Sequence, residues 1–189
     1  IILVNDGSRD GSLALCQARA MQDARIVVVD QQNAGPGAAR NAGLALAKGE
    51  YILFSDSDDI VLPGAVESLV RAMGEDRDVA IALFELCTDG KRTSVRGLIK
   101  EDLLLDKDEF LERLSRWPGA YYYSALWNKL YRREIIAQNQ LAFAPDVHWA
   151  EDLIFNMGYL EHAQVFVSIP EAGYHYIQNP KSLCHTQID

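Results

Sequence analysis

Cysteine is scarce in this 189-residue sequence and poorly placed for cross-linking: Cys16, Cys87 and Cys184 are odd in number and far apart. No C-x-x-C pair occurs, so neither a disulfide framework nor a zinc site of the usual spacing is expected, and a reducing cytoplasm is. Long apolar runs are missing too. Nothing approaches the ~18 consecutive apolar residues of a membrane span, and no signal-peptide pattern is found. Peripheral membrane contact, at the inner face, is left to segments outside this sequence. Positive charge is in short supply, with 18 Lys and Arg against 27 Asp and Glu and a net charge of −9. Without a basic stripe to neutralise phosphates, nucleic acid is not an expected partner. A single nucleotide is a different matter, because one metal ion and one arginine offset a diphosphate locally. There is no repeat, no low-complexity tract, no long linker and no initiator Met. The chain opens inside a strand at Ile1-Ile2-Leu3-Val4-Asn5 and reads as trimmed at its front.

What remains is ordinary for a globular domain, with 49% hydrophobic and 24% charged residues in a length that suits one core. The first half alternates strand and helix signals. Strands are expected at Ile1–Asn5, Arg25–Gln31, Tyr51–Phe54 and Val79–Leu86. Helices are expected at Leu13–Met21, at Ala38–Ala47 closed by Gly49, and at Pro63–Met73 with Pro in the first turn. Such alternation implies right-handed βαβ units, an α/β fold and a mostly parallel Rossmann-like sheet flanked by helices. Beyond Thr88 the pattern loosens into a hairpin or loop to Lys100 and a helix over Asp106–Arg116 with Leu111 and Leu114 inward. Tyr121–Leu130 is aromatic and partly strand-like, and Arg132–Asn139 reads as a short helix. A further helix spans Glu151–His162, with Ile154, Phe155 and Met157 to Leu160 on its apolar face. Strands at Val165–Ile169 and Gly173–Ile177 close the sheet.

The chemistry concentrates where strands end. Asp56-Ser57-Asp58-Asp59 follows the apolar Tyr51-Ile52-Leu53-Phe54, and carboxylates at the carboxyl end of an α/β strand face the crevice in which such sheets bind ligands. Two aspartates one residue apart can face one hard cation, the natural companion of a diphosphate. Asp59 reads as a helix cap. An EF-hand loop is excluded by Ile60, which stands where a Gly is required. Asp6-Gly7-Ser8, at the end of the first strand, offers a carboxylate to a base or ribose donor beside a tight turn. In Asn33-Ala34-Gly35-Pro36-Gly37, Gly35 and Gly37 would let backbone approach a ligand at a helix start, with Arg40 one turn in to grip phosphate or carboxylate. These glycines do not fit the dinucleotide fingerprint, since Arg40 stands where a third Gly belongs.

Three stretches together, Val4-Asn5-Asp6-Gly7-Ser8-x-Asp10-Gly11-Ser12, Asn33-x-Gly35-x-Gly37-x-Ala39-Arg40-Asn41-x-Gly43 and Gly49-Glu50-Tyr51-Ile52-x-Phe54-x-Asp56-Ser57-Asp58-Asp59, resemble the family 2 glycosyltransferases of the GT-A fold. Leu126-Trp127-Asn128-Lys129-Leu130-Tyr131-Arg132-Arg133 and Trp149-Ala150-Glu151-Asp152-Leu153-Ile154-Phe155-Asn156 extend the resemblance over nearly the whole chain. It implies an inverting, metal-dependent transfer from a nucleotide sugar, with a UDP sugar the expected donor, to a saccharide or lipid-linked saccharide hydroxyl in cell-surface polysaccharide synthesis. It further implies that Asp6 contacts the base, that Arg40 lies near the nucleotide, and that Asp58 binds Mn²⁺ or Mg²⁺ with Asp56 at the ribose or a metal-bound water. Asp152 is implied as the general base. Residues 1–88 would form the donor half and 89–189 the acceptor and base half. By the same resemblance His185, then His175, is a candidate to complete the metal shell, Lys181 could contact phosphate, and Trp127 and Trp149 could contact the acceptor. His148 and His162 have no motif support, and Tyr121-Tyr122-Tyr123 could stack on sugars but suit a core. The family's first strand, one wall of the nucleotide pocket, is not in this sequence. Two other readings compete: a non-catalytic nucleotide-sugar-binding module, and an Asp-x-Asp phosphohydrolase. The latter carries its pair on the first strand, whereas here two strands and a Gly-rich loop come earlier.

Overall fold

A computed structural model of the chain describes residues 1–97, 99–116, 125–145, 147 and 150–178. It opens with a parallel pair, β1 (Ile2–Asp6) and β2 (Val27–Gln31), in register from Ile2 opposite Val27 to Asp6 opposite Gln31. The intervening helix α1 (Ser12–Gln22) buries none of its residues and leaves Leu15 and Met21 exposed. Helix α2 (Pro36–Leu46) starts two residues earlier than the pattern predicts, because Pro36 suits the first helical position, where no amide is needed. It lies close on β1, where Gly43 leaves only ordinary contact distance to Val4.

The remaining strands form one mixed sheet in the order β3 (Tyr51–Leu53), β8 (Lys129–Arg132), β5 (Val79–Thr88), β9 (Val165–Ile177), β4 (Ile60–Val61). Strand β6 (Lys91–Arg96) hairpins onto β5, as the polar stretch after Thr88 predicts, and β7 (Leu103–Asp106) pairs with β9. The α/β architecture agrees with the alternation in the sequence. The hydrogen bonding is more mixed, since only β1–β2 and β5–β9 run parallel. The other pairings, β3–β8, β5–β8, β5–β6, β4–β9 and β7–β9, are antiparallel.

Strand β5 is central and reads as a continuous apolar run because both of its faces are covered. On one face Val79 and Ile81 join Tyr131, Phe143, Phe155, Tyr159 and Phe166; on the other Ala80 and Ala82 meet Leu69, Met73, Leu130 and Val167. The first face carries helix α6 (Glu151–His162) and the second helix α3 (Ala65–Met73). Phe54, just after β3, sits edge-on to Tyr131, Phe143 and Phe155, at centroid distances of 5.8, 5.6 and 5.6 Å. The end of β3 is thereby anchored in the core.

Several sequence expectations shift. Pro63 lies outside α3, because left-handed Gly64 takes the N-cap. In α4 (Lys107–Ser115), opened by an Asp106–Glu109 capping box, Phe110 rather than Leu111 or Leu114 is the fully buried residue. In α6 the buried residues are Phe155, Asn156 and Tyr159, while Ile154 and Met157 are about half exposed. Strand β9 is one 13-residue strand rather than two, bent by register shifts against β5 near Leu83. A short helix α5 (Arg133–Gln138) follows β8. Among the described residues no helix is long and apolar enough to cross a membrane.

Between β1 and β3 runs an apolar groove of about 780 Å³, lined by Ile2 and Val4, by Leu44 and Ala47 of α2, and by Ile52 and Leu53. Among the described residues β1 pairs only with β2 and β3 only with β8, so each strand turns an unpaired edge toward the other. The groove ends at Arg40 and Asp56.

Candidate active site

Asp6 ends β1 and organises the loop that begins α2. Its carboxylate accepts hydrogen bonds from Gln31 Nε2 (2.8 Å) and from the backbone amides of Ala34 (2.9 Å) and Gly35 (2.8 Å). Gly7 is required beside it: φ is +72°, and a Cβ would fall 2.7 Å from the Asn33 amide nitrogen. Gly35 is also left-handed, at φ +89°, with open space where a Cβ would stand, so it remains accessible to a ligand. Gly37 is not. It is buried, and its Cβ would press on Phe143 at 3.2 Å. The expectation that Gly37 clears room for a ligand is therefore corrected: it clears room for Phe143.

Arg40, one turn into α2, reaches across the crevice. Its Nη1 donates to Glu151 Oε1 at 2.6 Å and its Nη2 to Asp56 Oδ1 at 3.1 Å, while the guanidinium lies over the Phe143 ring, 5.5 Å from its centroid. Burial disfavours the Arg40 charge, but Asp56 and Glu151 outweigh it and hold the guanidinium above its ordinary range. The next residue, Asn41, exchanges two 2.8 Å hydrogen bonds with the Phe143 backbone. Residues 16 and 111 positions from Arg40 thus meet on one side chain.

At the end of β3, the Asp56 amide donates to the Tyr174 hydroxyl at 3.1 Å, and Asp58 is exposed. Asp59 is not a helix cap, because α3 begins six residues later. Its Oδ1 accepts from the Ile177 amide at 2.8 Å, which ties the acidic turn to β9. Burial pushes Asp59 up to about 6, against the downward pull of that amide.

Asp152 occupies the first turn of α6 and accepts from the Leu153 amide at 2.7 Å. Burial raises its pKa above the ordinary carboxylate value; the Leu153 amide, Arg40 and Lys129 oppose that shift and Glu151 adds to it. Beneath it Asn156 Nδ2 donates to the Asp152 carbonyl (3.0 Å) and Asn156 Oδ1 accepts from the Tyr131 hydroxyl (2.7 Å).

Arg40 therefore brings together Asp56, from the turn after β3, and Glu151, the neighbour of Asp152 in α6, while Asp6 and Gly35 meet at the carboxyl end of β1, just before the helix that carries Arg40. His175 does not join them: its Nε2 lies 2.7 Å from Glu85 Oε2, on β9 opposite Ile60, so that ring nitrogen is engaged by another carboxylate. Trp127 is corrected as well. It is buried and stacked on Tyr174 and Tyr176, at 4.5 and 5.4 Å, which makes it core rather than an acceptor contact. His148, Trp149, Tyr121–Tyr123, Lys181 and His185 lie outside the described residues. Three contributors went unassigned in the sequence: Glu151, Asn41 and Tyr174. Glu151 carried a signal in its place beside Asp152 in a helix's first turn, and Asn41 in its place beside Arg40 within a motif stretch.

Arg40→Met should expose how much this clasp holds. The substitution leaves a largely buried Glu151 and a partly exposed Asp56 without their shared cation. A loss of about 2–3 kcal/mol in urea unfolding is expected, below the ~3–5 kcal/mol of a fully buried pair because the Asp56 end is partly solvated. Arg40→Lys, which reaches one carboxylate at a time, should recover about half of it.

The profile of the family described as Glycosyl transferase family 2 matches residues 1–139. The glycosyltransferase EpsJ of Bacillus subtilis is 35% identical over 97% of this chain and 54% of its own length. The putative glycosyltransferase EpsH of the same organism is 33% identical over 93% of this chain and 51% of its own length. Among solved structures, Staphylococcus aureus TarS (residues 1–349) in complex with UDP-GlcNAc aligns with a TM-score of 0.79 at 22% identity, over all of this chain and 51% of that one. This last likeness concerns the fold, which is GT-A. The chain spans about half the length of the curated relatives it matches. With Arg40 joining two of the motif stretches and three quarters of the sequence under a single profile, the chain belongs to glycosyl transferase family 2.

Proposed function

We propose that this chain is the GT-A portion of an inverting glycosyltransferase that moves a sugar from a UDP sugar to a saccharide hydroxyl, in the synthesis of a cell-surface polysaccharide. The single observation that carries the reading is the Arg40 clasp, which joins the Asp-x-Asp turn at Asp56 to the helix start at Glu151-Asp152. The turn proposed to serve the diphosphate and the helix start that carries the proposed base thus meet on one arginine. Support for the donor comes from the TarS complex with UDP-GlcNAc, whose fold this chain shares.

In the proposed reaction the Asp152 carboxylate takes the proton of the acceptor hydroxyl. The acceptor oxygen forms its bond to the anomeric carbon as the bond from that carbon to the diphosphate oxygen breaks, and the electron pair leaves with UDP. A carboxylate in a partly desolvated setting is a stronger base than one in water, which suits this role. Residues 1–88 would serve the donor and 89–189 the acceptor and base.

Asp56 and Asp58 fit a divalent cation, since both offer hard oxygen donors from one turn. Among the described residues no three His, Cys, Asp or Glu side chains cluster as a preformed cage. Two carboxylates suit an ion such as Mg²⁺ or Mn²⁺ that keeps several waters and is held jointly with substrate phosphates. When bound, such an ion would stabilise the negative charge on the departing diphosphate.

The reading is tested by screening a panel of UDP, GDP and dTDP sugars with the full-length protein and following nucleoside diphosphate release with and without saccharide acceptors. Acceptor-stimulated release from a UDP sugar is expected. Tight UDP binding by calorimetry with no release from any donor would favour the non-catalytic binding module instead.

A further inference from the structure

Tyr174 buries a phenol in β9, at 1% exposure, where packing alone would be served by phenylalanine. Its ring stacks on Trp127 at 4.5 Å, with 10° between the planes. On β5 it stands opposite Phe84, which fills the same cluster without a hydroxyl. A buried hydroxyl is costly unless it is hydrogen-bonded, so its partner carries the explanation. That partner is the backbone amide of Asp56, which donates to the Tyr174 oxygen at 3.1 Å.

The turn that carries Asp56 and Asp58 is weakly held by its own backbone. Among the described residues its internal hydrogen bonds are long, 3.3 Å from the Asp59 amide and 3.5 Å from the Ser55 hydroxyl, both to the Asp56 carbonyl. Ser55, Ser57 and Asp58 are exposed. Phe54 anchors the entry to the turn in the aromatic core. The exit is anchored on β9, where the Ile177 amide donates to Asp59 Oδ1 at 2.8 Å and Ile60 and Val61 pair with His175 and Tyr174. The Tyr174 hydroxyl falls between these two anchorages, at the residue whose carboxylate also meets Arg40. An amide held by a buried, stacked ring has little freedom to shift, so β9 sets the direction in which the turn's carboxylates leave the backbone. We propose that Tyr174 is a positioning residue: its hydroxyl, with Asp59 as a second tie to β9, holds the turn so that Asp56 and Asp58 face one divalent cation and its diphosphate. This rests on the reading of that turn as the metal and diphosphate site.

The test uses the full-length protein and compares wild type, Tyr174→Phe and Asp58→Asn. Calorimetry follows UDP binding in Mn²⁺ and in chelator, and turnover is titrated with Mn²⁺. Tyr174→Phe keeps the stacked ring and removes only the oxygen. It should weaken UDP binding in Mn²⁺ by about 5-fold, leave binding in chelator unchanged and raise the half-saturating Mn²⁺ by a similar factor. At saturating Mn²⁺ its kcat should return to within about twofold of wild type. A tyrosine kept only for packing would instead lower kcat through lost active protein, with the Mn²⁺ midpoint and UDP affinity unmoved, and that result overturns the proposal. Asp59→Asn and Asp59→Ala provide an arm that does not depend on Tyr174→Phe folding. Both remove the same charge, but only Asn keeps an acceptor for the Ile177 amide, so Ala should bind UDP in Mn²⁺ about 5-fold more weakly than Asn. Equal affinities in that pair overturn the second tie. Should Asp58→Asn shift the Mn²⁺ midpoint while Tyr174→Phe does not, the metal reading stands and the positioning role fails. Should wild type bind UDP equally in Mn²⁺ and in chelator and turn over without metal, the metal reading fails and the proposal falls with it.

Discussion

Asp152→Asn should lower kcat by about 10²–10⁴-fold in the full-length enzyme while leaving donor binding nearly intact. Asn has the size of Asp and its Oδ1 still accepts from the Leu153 amide, so the first turn of α6 keeps its geometry. What disappears is a group able to take the acceptor's proton. The pH profile provides a second reading of the same residue. A base works only when ionised, and burial sets the Asp152 pKa above the ordinary carboxylate value. Activity should therefore fall as pH drops through that raised pKa, at a higher pH than an exposed aspartate would give. In Asp152→Asn the limb should vanish along with the rate. Wild-type turnover in the variant, measured as acceptor-stimulated UDP release, would remove Asp152 from the chemistry.

Removal of divalent cations should have an effect of comparable size. Lewis-acid stabilisation of a leaving diphosphate contributes several kcal/mol, so chelation should depress turnover by at least ~10²-fold, and added Mn²⁺ or Mg²⁺ should restore it. Asp58→Asn should mimic the chelated state and blunt the rescue. Because Asp58 is exposed, that substitution should change stability by no more than about 0.5 kcal/mol, which separates lost chemistry from lost fold. Asp56→Asn should behave differently. Asp56 also holds one arm of Arg40, so its loss should loosen the clasp and lower the unfolding midpoint as well. Full activity in chelator with Asp58→Asn unaffected would leave Arg40 and the loop amides at Ala34 and Gly35 to bear the diphosphate without a metal.

Much of this molecule is written in short-range pattern. The apolar run Val79–Leu86 marks β5 because a strand covered on both faces needs no alternation, and the strand-end aspartates Asp6 and Asp56 stand out because each follows such a run. The starts of α2 at Pro36 and of α4 at the Asp106–Glu109 box follow from equally local backbone chemistry, although apolar pattern alone set α2 two residues late. Where the reading failed, the deciding partner was distant. Asp59 looked like a cap because caps are local, yet its acceptor role is claimed by Ile177, 118 residues on. Gly37 resembled a ligand-facing glycine until Phe143 closed over it. Ile154 and Met157 resembled core until the rotation of α6 turned Phe155, Asn156 and Tyr159 inward.

The sequence by itself determined the α/β class, the strand ends that carry carboxylates, and the family, since each depends on residue order within a few turns of chain. Tertiary structure alone decided that Arg40 spans Asp56 and Glu151, that His175 is spent on Glu85, and that Lys129 lies buried among apolar side chains. Charges reach one another through space, and only packing sets which of them are close and how much water is left between them.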